Sequence, residues 1–256
     1  MMKYMILVIL VILVLMGCSG KEMITKDKIP PTKPLLIPHL GDTGDSPDSV
    51  YYQDNWVLLT DDSNGIDAVP DVDGIRLSWS HLLDLDLATI KIWRFNDYST
   101  PRVIKEISAT EESFTDTKNE TMNGDSIYYA YSYFIEVFDQ SGNSTKSDTV
   151  SYRLLEKQLP HSPANGDVLS TMAGLHFVFD TSNDYSKYRV LLFDEFHNLL
   201  WSTDIQTEHE VTYSIPYTGS MFTNRTLAWR VDALEWDNNL HIYIGSESHE
   251  MTFRVQ

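Results

Sequence analysis

From Ile75 to Ser80 the chain reads Ile-Arg-Leu-Ser-Trp-Ser, apolar and polar side chains in strict turn. Successive side chains of a strand point to opposite faces, so a period of two marks a half-buried strand and defeats an amphipathic helix. Similar runs recur at Thr89–Phe95, Arg102–Ile107, Ile127–Phe138 and Thr149–Leu154. A second series occupies Leu175–Asp180, Lys187–Asp194, Leu199–Ile205, Glu210–Ile215, Thr226–Leu234 and Glu250–Val255. Turn chemistry such as Asn123-Gly124-Asp125 and Ser141-Gly142-Asn143 separates the runs. Helical periodicity is almost absent beyond the N-terminus. Short strands between turn signals imply an all-β chain of antiparallel sandwiches or barrels. Each series holds an aromatic strand, a long aromatic strand and a closing strand, which implies two diverged units in tandem.

The N-terminus follows a different rule. Lys3 precedes an unbroken apolar run, Ile6 to Met16. This is the pattern of a secretory signal helix, too short for the roughly 20 residues that a spanning helix needs. Leu15-Met16-Gly17-Cys18 resembles the lipobox of bacterial lipoproteins. Leu15 suits a membrane-embedded enzyme, Gly17 leaves the scissile bond accessible and Cys18 supplies the nucleophilic sulfur. Met16 is bulkier than the small residue usual there. The resemblance implies residues 1–17 as a cleaved signal peptide and Cys18 as the lipidated residue, anchored to a membrane. Cys18 is the only cysteine, so the chain forms no internal disulfide. Residues 18–29 then read as a lysine-bearing tether, stiffened beyond by Pro30, Pro31 and Pro34. In bacteria with two membranes an aspartate after the lipidated cysteine retains the protein at the inner membrane. Ser19 stands there, which points to the outer membrane of the cell envelope.

Nineteen basic residues against 37 acidic ones give a net charge of −18. Such a surface repels phosphate backbones and excludes nucleic acid as a partner class. The eight histidines, His39, His81, His161, His176, His197, His209, His241 and His249, form no metal-binding spacing. There is no nucleophile elbow, phosphate loop or dinucleotide fingerprint, so the expectation is no enzyme, no cofactor and no metal. Asp61-Asp62-Ser63-Asn64-Gly65-Ile66-Asp67 offers hard oxygens on a tight loop. It lacks the calcium-loop spacing and reads as an Asx/Gly turn with solvated charges.

The first series resembles a fibronectin type III domain. Pro30-Pro31-Thr32-Lys33-Pro34 matches its start, Leu77-Ser78-Trp79 its second strand and Ile90–Arg94 its third. Tyr131-x-Tyr133-x-Ile135-x-Val137-x-Asp139-x-x-Gly142-Asn143-Ser144 matches the sixth strand and following turn. The resemblance implies a core tryptophan in Trp79 and a corner-locking hydroxyl in Tyr131. It places a first domain at 30–155, with an acidic insertion at about 35–74 between the first and second strands. Residues 156–256 resemble the immunoglobulin-like superfamily more distantly: Pro163-Ala164-Asn165-Gly166 opens the domain, and Leu227 stands where the corner tyrosine belongs.

With Ile90 and Ile92 inward, alternation turns Trp93 and Phe95 outward. With Tyr131, Tyr133, Ile135 and Val137 inward, Phe134 and Phe138 face out as well. These four aromatics form the candidate binding surface, because a soluble domain rarely leaves such a patch bare. Tyr51, Tyr52 and Trp56 in the insertion are candidates to cover it. The second domain or an external partner could also cover it, but the second domain's matching face, where Arg189, Arg230 and Asp232 point outward, is not expected to do so. The functional expectation is a non-catalytic envelope lipoprotein whose sandwiches serve as binding or spacer domains for a protein or glycan partner. The alternatives are a carbohydrate-binding module and, further off, a glycoside hydrolase-like enzyme with an unrecognised carboxylate pair.

Overall fold

The structure is a computed structural model. It describes residues 27–36, 66–70, 72–117, 129–181, 183, 185–206 and 210–256, and the backbone alone of 49–52, 55–58 and 242–243. The signal helix and Cys18 therefore lie outside the described residues. No helix among the described residues is long and apolar enough to cross a membrane. An antiparallel hairpin, β1 (Ser49–Tyr52) and β2 (Asn55–Leu58), forms a two-stranded sheet of its own. Tyr51, Tyr52 and Trp56 fall on it, and their side chains lie outside what is described.

The first sandwich has two sheets. One holds β3 (Ile66–Ala68), β4 (Gly74–Ser78) and β7 (Ser113–Thr117) in the order β3-β4-β7. The other holds β5 (Leu87–Asn96), β6 (Ser99–Ser108), β8 (Tyr131–Asp139), β9 (Ser144–Lys146) and β10 (Val150–Tyr152). Its order is β10-β8-β5-β6, with β9 also on β8. The alternating side chains meet between the sheets. Ile75, Leu77, Trp79, Ile90, Ile92, Tyr131, Tyr133, Ile135 and Val137 form one buried cluster, and the Trp79 indole N–H donates to Glu111 O at 3.0 Å. A corner partner for Tyr131 would stand upstream, in 118–128, outside the described residues.

The insertion is not a detour between first and second strands. Leu36 bridges Trp79, and Ile66 pairs with Leu77. The chain thus advances from 36 to 66 while its partner steps back only from 79 to 77. The first strand is interrupted and then resumes on the same neighbour, with residues 37–65 looped out of its middle. Residues 66–68, expected within the insertion, are core: Ile66 and Ala68 are buried. Residues 69–73 then separate β3 from β4.

The second sandwich comprises β11 (Leu159–Ser162), β12 (Asp167–Leu169), β13 (His176–Asp180), β14 (Lys187–Asp194), β15 (Leu199–Gln206), β16 (Thr212–Pro216), β17 (Arg225–Asp237), β18 (Ile242–Glu247) and β19 (Met251–Val255). Its sheets run β11-β13-β16 and β12-β19-β17-β14-β15, with β18 on β17. Every pairing is antiparallel except β12 with β19. A shared device relates the two units. In each, the last strand breaks at a serine facing the long aromatic strand. Ser147 N donates to Ile135 O at 2.9 Å, and Ile135 N donates to Ser147 Oγ at 3.0 Å. Ser248 N donates to Val231 O at 2.9 Å, and Val231 N donates to Ser248 Oγ at 2.9 Å. The hydroxyl replaces a missing carbonyl, so the ladder survives a break after which the strand resumes on the same neighbour one residue out of register.

No spacer separates the domains. Leu154 closes the first core and Leu155 opens the second. Tyr152, buried in the first sandwich, accepts a hydrogen bond at its hydroxyl from Gly245 N at 2.9 Å, and Leu155 N donates to Gly245 O at 3.0 Å. The Lys157 ammonium donates to Val69 O, to Pro70 O at 3.1 Å and to Glu247 O at 2.7 Å, so one cation serves backbone from both domains.

Two outcomes follow from this packing. Truncating a buried tryptophan costs about 3–5 kcal/mol, much of the roughly 5–15 kcal/mol that holds a domain together. Trp79→Ala should therefore unfold the first sandwich or nearly so, read as the loss of one transition in urea. Burial lowers the pKa of Lys157 to about 8, against the pull of Glu247, Asp73 and Asp232. The ordinary value is 10.5. Between the two the unfolded chain holds a proton that the folded chain has shed, so stability rises with pH across that window. Urea midpoints at neutral pH and at about pH 9.5 should show the wild type gaining on Lys157→Met as pH rises; parallel curves would contradict it.

Candidate binding surface

The β5–β8 ladder sets Trp93 opposite Phe134 and Ile92 opposite Ile135. Ile90 and Ile92 are fully buried between the sheets, while Trp93, Phe95, Phe134 and Phe138 lie half-buried on the other face. Trp93 stacks on Phe134 with centroids 5.5 Å apart and planes 13° off parallel, and Phe95 tilts against Phe134 at 6.4 Å. The Lys146 ammonium sits 5.2 Å from the Trp93 centroid and 5.0 Å from that of Phe134. Glu136 accepts the Trp93 indole N–H at 3.1 Å and the Ser144 hydroxyl at 3.0 Å. Phe138 lies under Lys91, 4.6 Å from its ammonium. Three of the four rings are contiguous, and the fourth has its own cation. The strip is an aromatic surface edged by charge, with cation–π contacts holding its rings in place. Whether the hairpin side chains reach it falls outside the described residues.

Alternation that turns Trp93 and Phe95 outward turns Arg94 inward. Arg94 is 1% exposed. Its Nη1 lies 2.7 Å from Asp116 Oδ2, which also accepts the Tyr133 hydroxyl at 2.9 Å, and its guanidinium lies 4.8 Å from the Tyr131 ring centroid. Burial raises the Asp116 pKa, with Arg94 opposing, and pushes that of Tyr133 well above the usual phenol value. Nothing in the sequence links position 94 to position 116 before the sheets are assembled, so this group has no local signature.

The outer face of the second sandwich is closed as well. Arg189, Arg230 and Asp232 leave the core as alternation requires, yet all are buried. Arg230 Nε donates to Asp232 Oδ1 at 2.9 Å and its Nη2 to Glu247 Oε1 at 2.8 Å, while the guanidinium lies over Phe193 at 5.3 Å. Phe193 belongs to a separate buried cluster with Leu191 and Ala228. This face is a closed charged layer rather than a solvated one.

Among the described residues the carboxylates of Asp27, Asp86 and Asp139 gather within 4.8 Å. Both oxygens of Asp139 already accept from Asn143, at 2.8 Å from its backbone N and 2.7 Å from its amide. Of the Asp61–Asp67 loop, 61–65 lie outside the described residues, and Asp67 is a buried strand residue whose carboxylate accepts Ala68 N at 2.7 Å.

The chain matches no sequence family and no curated protein. Among solved structures it is similar to the FN1–FN3 domains of chicken CNTN1, at 9% identity, over 90% of this chain and 69% of that one, with a TM-score of 0.34. A pectate lyase, Pel3 from Pectobacterium carotovorum, aligns at 19% identity with 41% of this chain, which spans only 30% of the enzyme, with a TM-score of 0.27.

The buried pair makes a sharp expectation. Removing one partner of such a pair costs about 3–5 kcal/mol, whereas replacing both by apolar residues is often close to neutral. Asp116→Ala should strongly destabilise the first sandwich, and Arg94→Met with Asp116→Leu should recover most of the loss once Tyr133→Phe removes the hydroxyl that Asp116 also accepts. A double-mutant cycle in urea measures the coupling, and additive effects would show that the two groups act independently.

Proposed function

We propose that this chain is a lipid-anchored, non-catalytic binding protein of the bacterial cell envelope. In this reading Cys18 carries the lipid, residues 19–29 span the headgroup layer and the two sandwiches stand beyond as one body. The observation that carries the binding role is the contiguous strip of Trp93, Phe134 and Phe95, held half-buried on an outer sheet face. An aromatic strip edged by Lys146 and Glu136 offers both a large apolar anchor and polar registration for a partner. The buried joint supports a spacer role beside it, because a domain pair without a free linker holds the strip at a fixed height. Ser19 after the lipidated residue favours the outer membrane.

Cys18→Ser should shift the protein from the membrane fraction to the soluble one, or leave the precursor unprocessed. Normal processing with unchanged membrane retention would overturn the anchor. With the anchor intact, envelope proteins that co-purify through the strip should be lost when Trp93 is changed to Ala. An unchanged set would remove the strip from the binding role.

A further inference from the structure

The joint leaves a cleft of about 740 Å³ between the sandwiches. One wall is the turn leaving β5, from Asn96 to Tyr98, together with the approach to β8 at Tyr129. The other is the β17–β18 hairpin around Trp236 and Asp237. Arg153, from the segment that joins the domains, ties the walls together, with its Nη2 3.2 Å from Asp237 Oδ2. The volume and the position between domains are those of ligand sites.

Three rings line this cleft without being absorbed by a core. Tyr98 is 89% exposed, Tyr129 49% and Trp236 43%, and the two tyrosine rings lie 6.3 Å apart at 55°. Between them stand planar polar groups. Arg153 meets Asp237 through Nη2, and its side chain, which lines the cleft, remains 39% exposed. Asn96 spends its carbonyl oxygen on Tyr98 N at 3.0 Å, which leaves its amide donors for a ligand. The charge is wrong for phosphates and uronic acids, since Asp97, Glu235 and Asp237 outnumber Arg153. The cleft is no trap for cations either. Asp237 already accepts from Asn239 N at 2.8 Å and Leu240 N at 3.1 Å besides facing Arg153. An apolar ligand would strand the polar lining unpaired. What remains is a ligand with C–H faces for the rings and uncharged hydroxyls for the amide and guanidinium groups.

We propose that the interdomain cleft binds a neutral oligosaccharide, stacked on Tyr98, Tyr129 and Trp236 and hydrogen-bonded by Asn96 and Arg153. The proposal rests on the non-catalytic binding reading but uses a site distinct from the Trp93 strip. The test is titration of the full chain in detergent micelles with cellohexaose, xylohexaose, mannohexaose and chitohexaose, followed by calorimetry and tryptophan fluorescence. At least one should bind saturably. Tyr98→Ala and Trp236→Ala should each weaken that binding about tenfold or more, while Trp93→Ala leaves it unchanged. Tyr98 is so exposed that its replacement should not move the melting temperature, which separates lost contact from lost fold. Saturation by none of the four, or wild-type affinity in both cleft variants, would overturn the cleft. Release of shortened glycan during the titration would instead overturn the non-catalytic reading and leave the binding site standing.

Discussion

The two hydrophobic cores abut at a single peptide bond, between Leu154 and Leu155, and much else in the molecule depends on that. A chain that leaves one core and enters another at once buries backbone groups that no strand ladder can satisfy, and each needs a partner. Tyr152, Lys157 and Gly245 supply them, and the partners come from both domains. The joint is therefore satisfied only when the sandwiches sit in one mutual placement. Tandem domains usually meet through polar, transient interfaces that allow relative motion; here the hydrogen-bond requirement of the connecting segment sets the geometry instead. The cleft lined by Tyr98, Tyr129 and Trp236 is a consequence, since its walls belong to different domains and Arg153 of the same segment bridges them.

Within each domain a buried arginine plays a comparable part. Replacing buried ion pairs by apolar residues is often neutral or better, so Arg94–Asp116 and Arg230–Asp232–Glu247 are poor candidates for the source of stability. They do penalise error. A slip of one residue between β5 and β8 would turn Arg94 to the outside, drive Trp93 into the core and leave Asp116 charged and alone. Two apolar-rich faces alone would tolerate that slip, because β5 carries large side chains on both. The charge removes the ambiguity, and so fixes which aromatics reach the outer face.

How far the sequence speaks for the structure depends on the kind of interaction. Period-two patterning is local, so the strands from Ile75, Ile90 and Tyr131 onward were legible, as were the all-β class and the buried Trp79. Arg94 was legible in part: its parity with Ile90 and Ile92 placed it inside, but its charge argued for water, and only the sheet packing brings Asp116 to it. Arg230 was read only as pointing outward, because its partner Glu247 lies seventeen residues away. Lys157 looks like any linker lysine until Val69, Pro70 and Glu247 converge on it. The interruption of the first strand was hidden because Leu36 and Ile66–Ala68 are too short to carry a pattern of their own. The candidate strip followed from parity alone, whereas the cleft, made by two domains meeting, had no signature in either.

The interrupted strand also explains how a long acidic excursion coexists with a tight joint. Loop-closure entropy grows only logarithmically with length, so looping out residues 37–65 costs little more than a short hairpin if both ends are pinned. They are: Leu36 holds one end on Trp79, and β3 holds the other on β4. The re-entering segment does more than close the loop. β3 packs beside β18 of the second domain, and the residues just after it, Val69 and Pro70, are those whose carbonyls receive Lys157. The strand that carries the excursion thus ends at the joint. Anything that pulled on the excursion would be felt first at the Leu36–Trp79 bridge, in the first core, and at the Lys157 contacts, where the two domains are tied.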